Sequence, residues 1–295
     1  VISESFTVIL LGLVEGITEF LPISSTAHLL ITEHYLDHTP DDAFNIIIQL
    51  GAVLAVVVIY WRRLLDFVIN ISKPEQRDYI LKLAAALTIT IVGCLVAKKM
   101  GFKLPTDLWP LVVAMLGGAV AIFLAEWLLK KKPVSESLTW HVVVWVAFAQ
   151  ILAAVFPGTS RSGATIIAAM FCGLSRPAAT EFSFLLGIPT MFAASIYAGK
   201  EAWDTGIFDS PDTVNKLVVG FIISMMTAFV VVKWLIHYVR SNTFIPFAWY
   251  RVFLSIVLII ALWNERTHLP PDLKESLHKP FSHESSTKLA ALPEK

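Results

Sequence analysis

Charged side chains are scarce in this 295-residue chain: Asp, Glu, Lys and Arg together make up 16% of it. A soluble domain carries about a quarter. Hydrophobic residues fill 56% of the positions and mean hydropathy is +0.69, which excludes an ordinary soluble protein. No sign of charge is in excess either, since 23 basic and 23 acidic residues give a formal net charge of 0. Without a global field to recruit nucleic acid, any anion site must be local. Cysteine is nearly missing. Cys94 and Cys172 both lie in apolar segments and read as small buried side chains rather than a disulfide or a metal pair. No secretory signal with a cleavage site precedes the first apolar segment, and a start at Val1 is what a trimmed N-terminus would leave.

Apolar sequence is what the chain has in abundance. Runs of about 20 residues, the length needed to cross hydrocarbon, recur along it and predict an integral membrane protein. None alternates as strands do, and several are bounded by Arg, Lys, Trp or Tyr. The expected fold class is all-α polytopic, with single spans at 43–61, 79–97, 108–129, 182–198, 217–234 and 246–263. Two further stretches are interrupted midway. Phe6–Phe20 would form a helix of about 22 Å, short of the ~30 Å hydrocarbon core, before Leu21-Pro22 disfavours more helix. Ser24, Ser25 and Thr26 are good N-caps for a second short helix ending near Tyr35. Trp140–Val155, Pro157-Gly158 and Arg161–Gly173 repeat the design. Stretches 6–35 and 140–173 therefore read as re-entrant helical hairpins with turns at membrane depth. The alternative is a spanning helix kinked at its proline.

Sliding the first break onto the second by 135 residues superposes Glu15 on Gln150, Pro22 on Pro157 and Ser25 on Ser160. The chain thus reads as one unit used twice, over 1–135 and 136–263, each a hairpin followed by three spans. Three crossings invert the second copy, so the hairpins enter from opposite faces and meet at the midplane. Ile48-Gln49-Leu50-Gly51 and Leu185-Leu186-Gly187 add a weaker echo. Nine basic residues (Arg62, Arg63, Lys73, Arg77, Lys130, Lys131, Lys132, Arg176 and Arg240) face away from both termini. Five (Lys98, Lys99, Lys103, Lys200 and Lys216) lie on the other side, with acidic loops around Asp37–Asp42 and Glu201–Asp212. The positive-inside rule puts the nine in the cytoplasm and both termini outside. Residues 264–295 turn polar and proline-rich and read as a disordered tail without a site.

Charges and hydroxyls at membrane depth are costly, so two matched breaks suggest one shared site. Glu15 and Glu19, spaced i, i+4, project from one face of the first half-helix. Two adjacent buried carboxylates need a proton or a cation between them, and Mg²⁺ suits carboxylate, water and phosphate oxygens. A pair solvated at a helix end is the plainer reading. Ser24, Ser25 and Thr26 open the second half-helix, whose free N–H groups and positive dipole favour an anion; capping alone would also explain them. The second break brings Gly158, Thr159, Ser160, Arg161, Ser162 and Gly163 to its own helix start. Glycines allow close backbone approach, hydroxyls donate, and Arg161 has the fork to grip phosphate, although a structural ion pair would also account for it. His28, three residues beyond Ser25, is placed to move a proton at the same phosphoryl group. Asn45 and Gln49 form a polar pair that could line the site; Glu181 and Ser183 are equally well explained by packing. The chemistry expected is attack by Ser25 on a terminal phosphoryl, His28 handling the proton, Arg161 neutralising charge, and a transient phosphoserine. Attack by water or by His28 itself are the alternatives.

The run Glu15-Gly-Ile-Thr-Glu-Phe-Leu-Pro-Ile-Ser-Ser-Thr-Ala-His28 and the run Pro157-Gly-Thr-Ser-Arg-Ser-Gly163 resemble the two signature motifs of the undecaprenyl-diphosphate phosphatase family, also called the bacitracin-resistance family. In motif order and span count the likeness extends from about Phe6 to Trp263. It implies hydrolysis of undecaprenyl diphosphate to the monophosphate and inorganic phosphate, recycling the lipid carrier for peptidoglycan synthesis. It also implies a multi-pass protein of the bacterial inner membrane, a divalent cation (Mg²⁺ or Ca²⁺), and bacitracin resistance on overproduction; the charge count adds a site open to the outer face. By motif position Glu15 and Glu19 match the paired acidic residues, Ser25 and His28 the catalytic pair, and Arg161 the phosphate-binding arginine. Ala27 departs from a position where glycine is frequent, a change that a half-helix tolerates. The substrate partner is a lipid diphosphate in the bilayer, with a homodimer left open. The main rival is a transporter or flippase for a phosphate-bearing lipid or anion, since broken helices in inverted repeats also typify transporters. An acid-phosphatase-like mechanism would need a second histidine soon after Ser160-Arg161, and the next is His237. An intramembrane serine protease would need a histidine with Ser160 in its own half.

Overall fold

The computed structural model describes residues 4–36, 42–101, 108–130, 134–204 and 210–268. Among these, eleven α-helices and no strand are found: α1 (Glu4–Thr18), α2 (Ser25–Leu36), α3 (Asp42–Ile59), α4 (Trp61–Ile69), α5 (Pro74–Lys99), α6 (Leu108–Leu129), α7 (Trp140–Val155), α8 (Arg161–Phe171), α9 (Arg176–Asp204), α10 (Pro211–Tyr238) and α11 (Ile245–His268). Proline opens α5 and α10, where its missing N–H costs nothing and its φ suits a first turn. Five helices (α5, α6, α9, α10 and α11) are long and apolar enough to cross a membrane, and α3 with α4 makes a sixth if that bent pair is one span. The chain is a multi-pass membrane protein.

Every expected span falls on a helix, and the ends differ for physical reasons. The 43–61 span stops at Ile59, where the chain turns by 65° into α4. Arg62, Arg63 and Asp66 make α4 amphipathic, suited to lie along an interface rather than continue through hydrocarbon. The 182–198 span extends at both ends into polar sequence, and α9 carries Pro189 in its interior. The last helix runs to His268, five residues into the expected tail; 269–295 lie outside the described residues, as do Asp37–Asp41, Lys103, Lys131 and Lys132.

Among the described residues, those up to Val252 form one compact unit and those from Phe253 on a second. Within the first unit the two sequence halves interleave, since α1 and α3 both pack on α10. Small residues permit this approach. A Cβ on Gly16 would lie 2.6 Å from the Ser224 carbonyl oxygen, and one on Gly51 would lie 2.4 Å from that of Phe221. Helices in lipid associate through such stripes because hydrocarbon supplies no hydrophobic drive.

Polar ties sort the helix ends. At one end Arg63 pairs with Glu181 at 3.5 Å, Lys82 Nζ donates to the Leu138 carbonyl at 2.6 Å, and Arg176 pairs with Glu126. Glu126 also accepts from the Phe244 N–H at 2.8 Å. Ser135 bridges to Leu174 there, its N–H donating to Gly173 and its carbonyl accepting from Ser175, both at 2.9 Å. The α7–α8 segment therefore begins and ends at the same place. Elsewhere Lys216 Nζ meets Glu4 at 2.5 Å, joining the starts of α10 and α1.

Candidate active site at two helix breaks

Each break ends on a serine in left-handed backbone, Ser24 at φ 74° and Ser160 at φ 69°. These are the only non-glycine residues with positive φ among those described. L-residues resist that conformation, and it persists where surroundings over-determine it. Both serines cap the helix that follows: Ser24 Oγ accepts from the Ala27 N–H at 3.3 Å, Ser160 Oγ from the Gly163 N–H at 3.1 Å. The structural match is therefore Ser24 with Ser160, so Ser25 corresponds to Arg161. The 135-residue superposition holds up to Pro22 and Pro157. Beyond them the second turn carries one residue more, and its Gly158 at φ +90° would clash with Leu111 if it bore a Cβ.

The two turns touch. Ser162, fully buried, lies with its Oγ 3.0 Å from the Leu21 carbonyl and 3.2 Å from that of Glu19. Arg251, 1% exposed, is threaded beneath both. Its guanidinium donates to the Pro22 carbonyl at 3.3 Å, to Gly158 and Thr159 at 3.2 Å each, and to Ala114 at 3.0 Å, while Nε reaches Met115 at 2.9 Å. Sequence reasoning missed this residue, although an arginine inside an otherwise apolar span was signal enough.

Two predicted residues converge on the carboxylate of a third. Glu19 accepts from Arg161 Nη2 on Oε1 at 2.8 Å and from the Ser25 hydroxyl on Oε2 at 2.6 Å. Arg161 lies against the Phe20 ring, its Cζ 5.5 Å from the centroid. A Cβ on Gly187 would fall 2.0 Å from Arg161 Nη1, so the glycine leaves the guanidinium its place. That nitrogen is buried and has no hydrogen-bond partner among the described residues. Glu15, one turn before Glu19, is 0% exposed, and neither of its oxygens has a hydrogen-bond partner there either. No group of three His, Cys, Asp or Glu side chains suited to a metal occurs among the described residues.

A cavity of about 610 Å³ opens on this cluster. Of the predicted residues, Glu19, Ser24, Ser25, Thr26, Ser160 and Arg161 border it, joined by Gly158 and Gln49. Others lie elsewhere. Thr159 and Gly163 border a separate cavity of about 770 Å³, and Ser162 is consumed in joining the turns. His28 does not face Ser25: its Nδ1 is 2.6 Å from the Ser24 carbonyl and its Nε2 2.7 Å from the Tyr250 hydroxyl. Asn45 donates to Glu33 at 2.9 Å, and Ser183 pairs with Thr165 at 2.5 Å, both away from the cavity.

Residues 8–257 match the family model described as bacitracin resistance protein BacA. A protein of Rhizobium etli named undecaprenyl-diphosphatase is 50% identical over 251 residues, covering 85% of this chain and 94% of the relative. One of the same name from Xylella fastidiosa is 47% identical over 257 residues, 87% of this chain and 98% of the relative. A third, from Methylacidiphilum infernorum, is 50% identical over 254 residues, 85% and 94%. With both breaks inside the matched region, the chain belongs to the bacitracin resistance protein BacA family.

Proposed function

We propose that this chain hydrolyses undecaprenyl diphosphate, releasing inorganic phosphate and leaving undecaprenyl phosphate in the membrane. The observation that carries this reading is the meeting of Ser25, Glu19 and Arg161 on one cavity between two helix starts, in a chain whose relatives bear the name undecaprenyl-diphosphatase. The N-termini of α2 and α8 favour the anionic head group, and the unsatisfied Arg161 Nη1 is a donor for a phosphoryl oxygen. Ser25 Oγ attacks the terminal phosphorus and its proton passes to Glu19 Oε2, its present acceptor. The bridging P–O bond breaks as the lipid phosphate departs. Water then attacks the phosphoserine, the Oγ–P bond breaks, inorganic phosphate leaves, and Oγ regains a proton. His28 serves from the side, holding the left-handed Ser24 by its carbonyl. That differs from the expectation that it takes the Ser25 proton, a role the geometry favours for Glu19.

A divalent cation, Mg²⁺ or Ca²⁺, fits this site because the buried Glu15 carboxylate lacks a hydrogen-bond partner among the described residues. Glu15 and Glu19 would hold it, and it would offset phosphate charge. The inverted arrangement is part of the same proposal. The α7–α8 hairpin opens at the end marked by Glu126 and Arg176, whereas α1 starts at the end marked by Glu4 and Lys216, which supports hairpins entering from opposite faces. The basic-residue bias supports a bacterial inner-membrane protein whose site opens outward.

Purified protein in detergent, where no compartments exist, is expected to release phosphate from prenyl diphosphates. Ser25→Ala should reduce that by more than about a thousandfold, as loss of a nucleophile does. Rapid quench with labelled substrate should trap phosphate on the wild type. Substantial turnover by Ser25→Ala together with no trapped label would assign attack to water and leave Ser25 a donor.

A further inference from the structure

Gln150, on α7, has no part in the steps above, yet it borders the same cavity as Ser25 and Arg161 and is 3% exposed. Its Nε2 donates to Thr90 Oγ1 at 3.1 Å, and Thr90 spends its single proton on the Ala86 carbonyl at 2.8 Å. Thr90 can therefore only accept from Gln150. This fixes which way round the amide lies, nitrogen toward Thr90 and oxygen away from it. Oε1 is buried and has no hydrogen-bond partner among the described residues. A buried carbonyl without a donor is destabilising, and an apolar side chain on this helix would escape that penalty.

A bare phosphoryl oxygen cannot meet this need, because two acceptors repel. Of the reactants, water and a protonated phosphoryl oxygen bring the O–H that can. A glutamate here would also accept but would set a further negative charge beside the diphosphate, whereas the amide stays neutral. The first half carries a carboxylate at the matching position, Glu15. We propose that Gln150 is a positioning residue whose Oε1 accepts a hydrogen bond from an O–H present during the reaction. That O–H belongs either to the water that attacks the phosphoserine or to a protonated phosphoryl oxygen of the substrate. The inference rests on the phosphatase reading.

The test uses full-length protein in detergent, with Gln150→Met to remove the amide and Thr90→Val to let it turn. Turnover is measured on a prenyl diphosphate, and affinity on its methylene-bridged analogue, which cannot be hydrolysed. Gln150→Met is expected to lower kcat about tenfold and Thr90→Val about threefold, the range for one lost hydrogen bond. If the O–H is the water's, analogue affinity stays at the wild-type value. If it is the substrate's, affinity falls about tenfold and the wild type's preference for the protonated analogue disappears. Both results support the proposal. It is overturned if kcat and affinity stay within about twofold of wild type in the folded variants, whatever the melting temperature does. Should Gln150→Met fail to fold, Thr90→Val decides alone by the same criterion. A wild type that binds the analogue but releases no phosphate would instead sink the phosphatase reading, and the affinity arm would still report on Gln150.

Discussion

Glu19 accepts from Ser25 through one oxygen and from Arg161 through the other, so a change in any of the three is felt by the remaining two. Gly187 enters this triangle without touching substrate. In Gly187→Ala the new Cβ would lie 2.0 Å from Arg161 Nη1, and the cheapest relief is for the guanidinium to swing aside. Activity should then fall about tenfold or more, the worth of a charge-assisted hydrogen bond. The melting temperature should hardly move, because a side-chain end yields where backbone would not. An equal loss of both would mean that α9 itself had shifted. Glu15→Gln keeps shape but removes charge, so it should raise the cation concentration needed for half-maximal activity. Full wild-type activity in chelator would give the carboxylate pair some other duty, such as sharing a proton. Ser25, Glu19 and Arg161 were legible in the sequence because polar groups amid apolar residues are expensive and rarely idle. The direction of His28 was not. Spacing places a side chain on a helix face, while the left-handed cap before it and Tyr250, 222 residues away, set where the ring points.

The half-helices were readable to within a few residues from proline, caps and apolar length, and α7 matches its expected bounds, Trp140–Val155. The join between them was not readable, since repeat matching assumes equal turns and the second turn is longer by one residue. That extra residue keeps a serine at each helix start while changing its successor from Ser25 to Arg161. One hairpin thereby presents a hydroxyl and the other a cation at the same structural position. Arg251 secures both turns by their carbonyls, so the pairing depends on a residue from neither hairpin. Arg251→Met should leave these buried carbonyls without donors and lower stability by about 3 kcal/mol or more. The check is a thermal melt in detergent alongside turnover. Activity should drop further than the melt explains, because the geometry between Ser25 and Arg161 loosens. A variant with unchanged melt and turnover would show that the turns hold each other through Ser162 alone.

Interleaving of the halves was beyond the reach of the sequence, because stripes such as Gly12 and Gly16 announce a close partner without naming it; here the partner is α10. By the positive-inside rule, nine basic residues against five would put one set of helix ends in the cytoplasm. Polar contacts show which of these ends lie together. Arg63–Glu181, Lys82–Leu138 and Arg176–Glu126 gather the ends of α4, α5, α6, α7 and α9 that the charge count assigns to the cytoplasm. Glu4–Lys216 joins the ends of α1 and α10 that it assigns outside. Side-chain reach groups the ends and loop charge gives their side, and together they predict one labelling pattern. With Cys94 and Cys172 replaced by alanine, single cysteines at Lys99 and Ser210 should react with an impermeant maleimide in intact cells. Single cysteines at Lys73 and Asn242 should react only after permeabilisation. The reversed pattern would turn the molecule over, moving the mouth of the α1–α2 hairpin to the cytoplasm and leaving the chemistry intact. Equal labelling at Lys73 and Lys99 would be more damaging, because α5 would then not cross. An even number of crossings between the hairpins would bring both in from the same face, and the contact between their turns would have no place at the midplane.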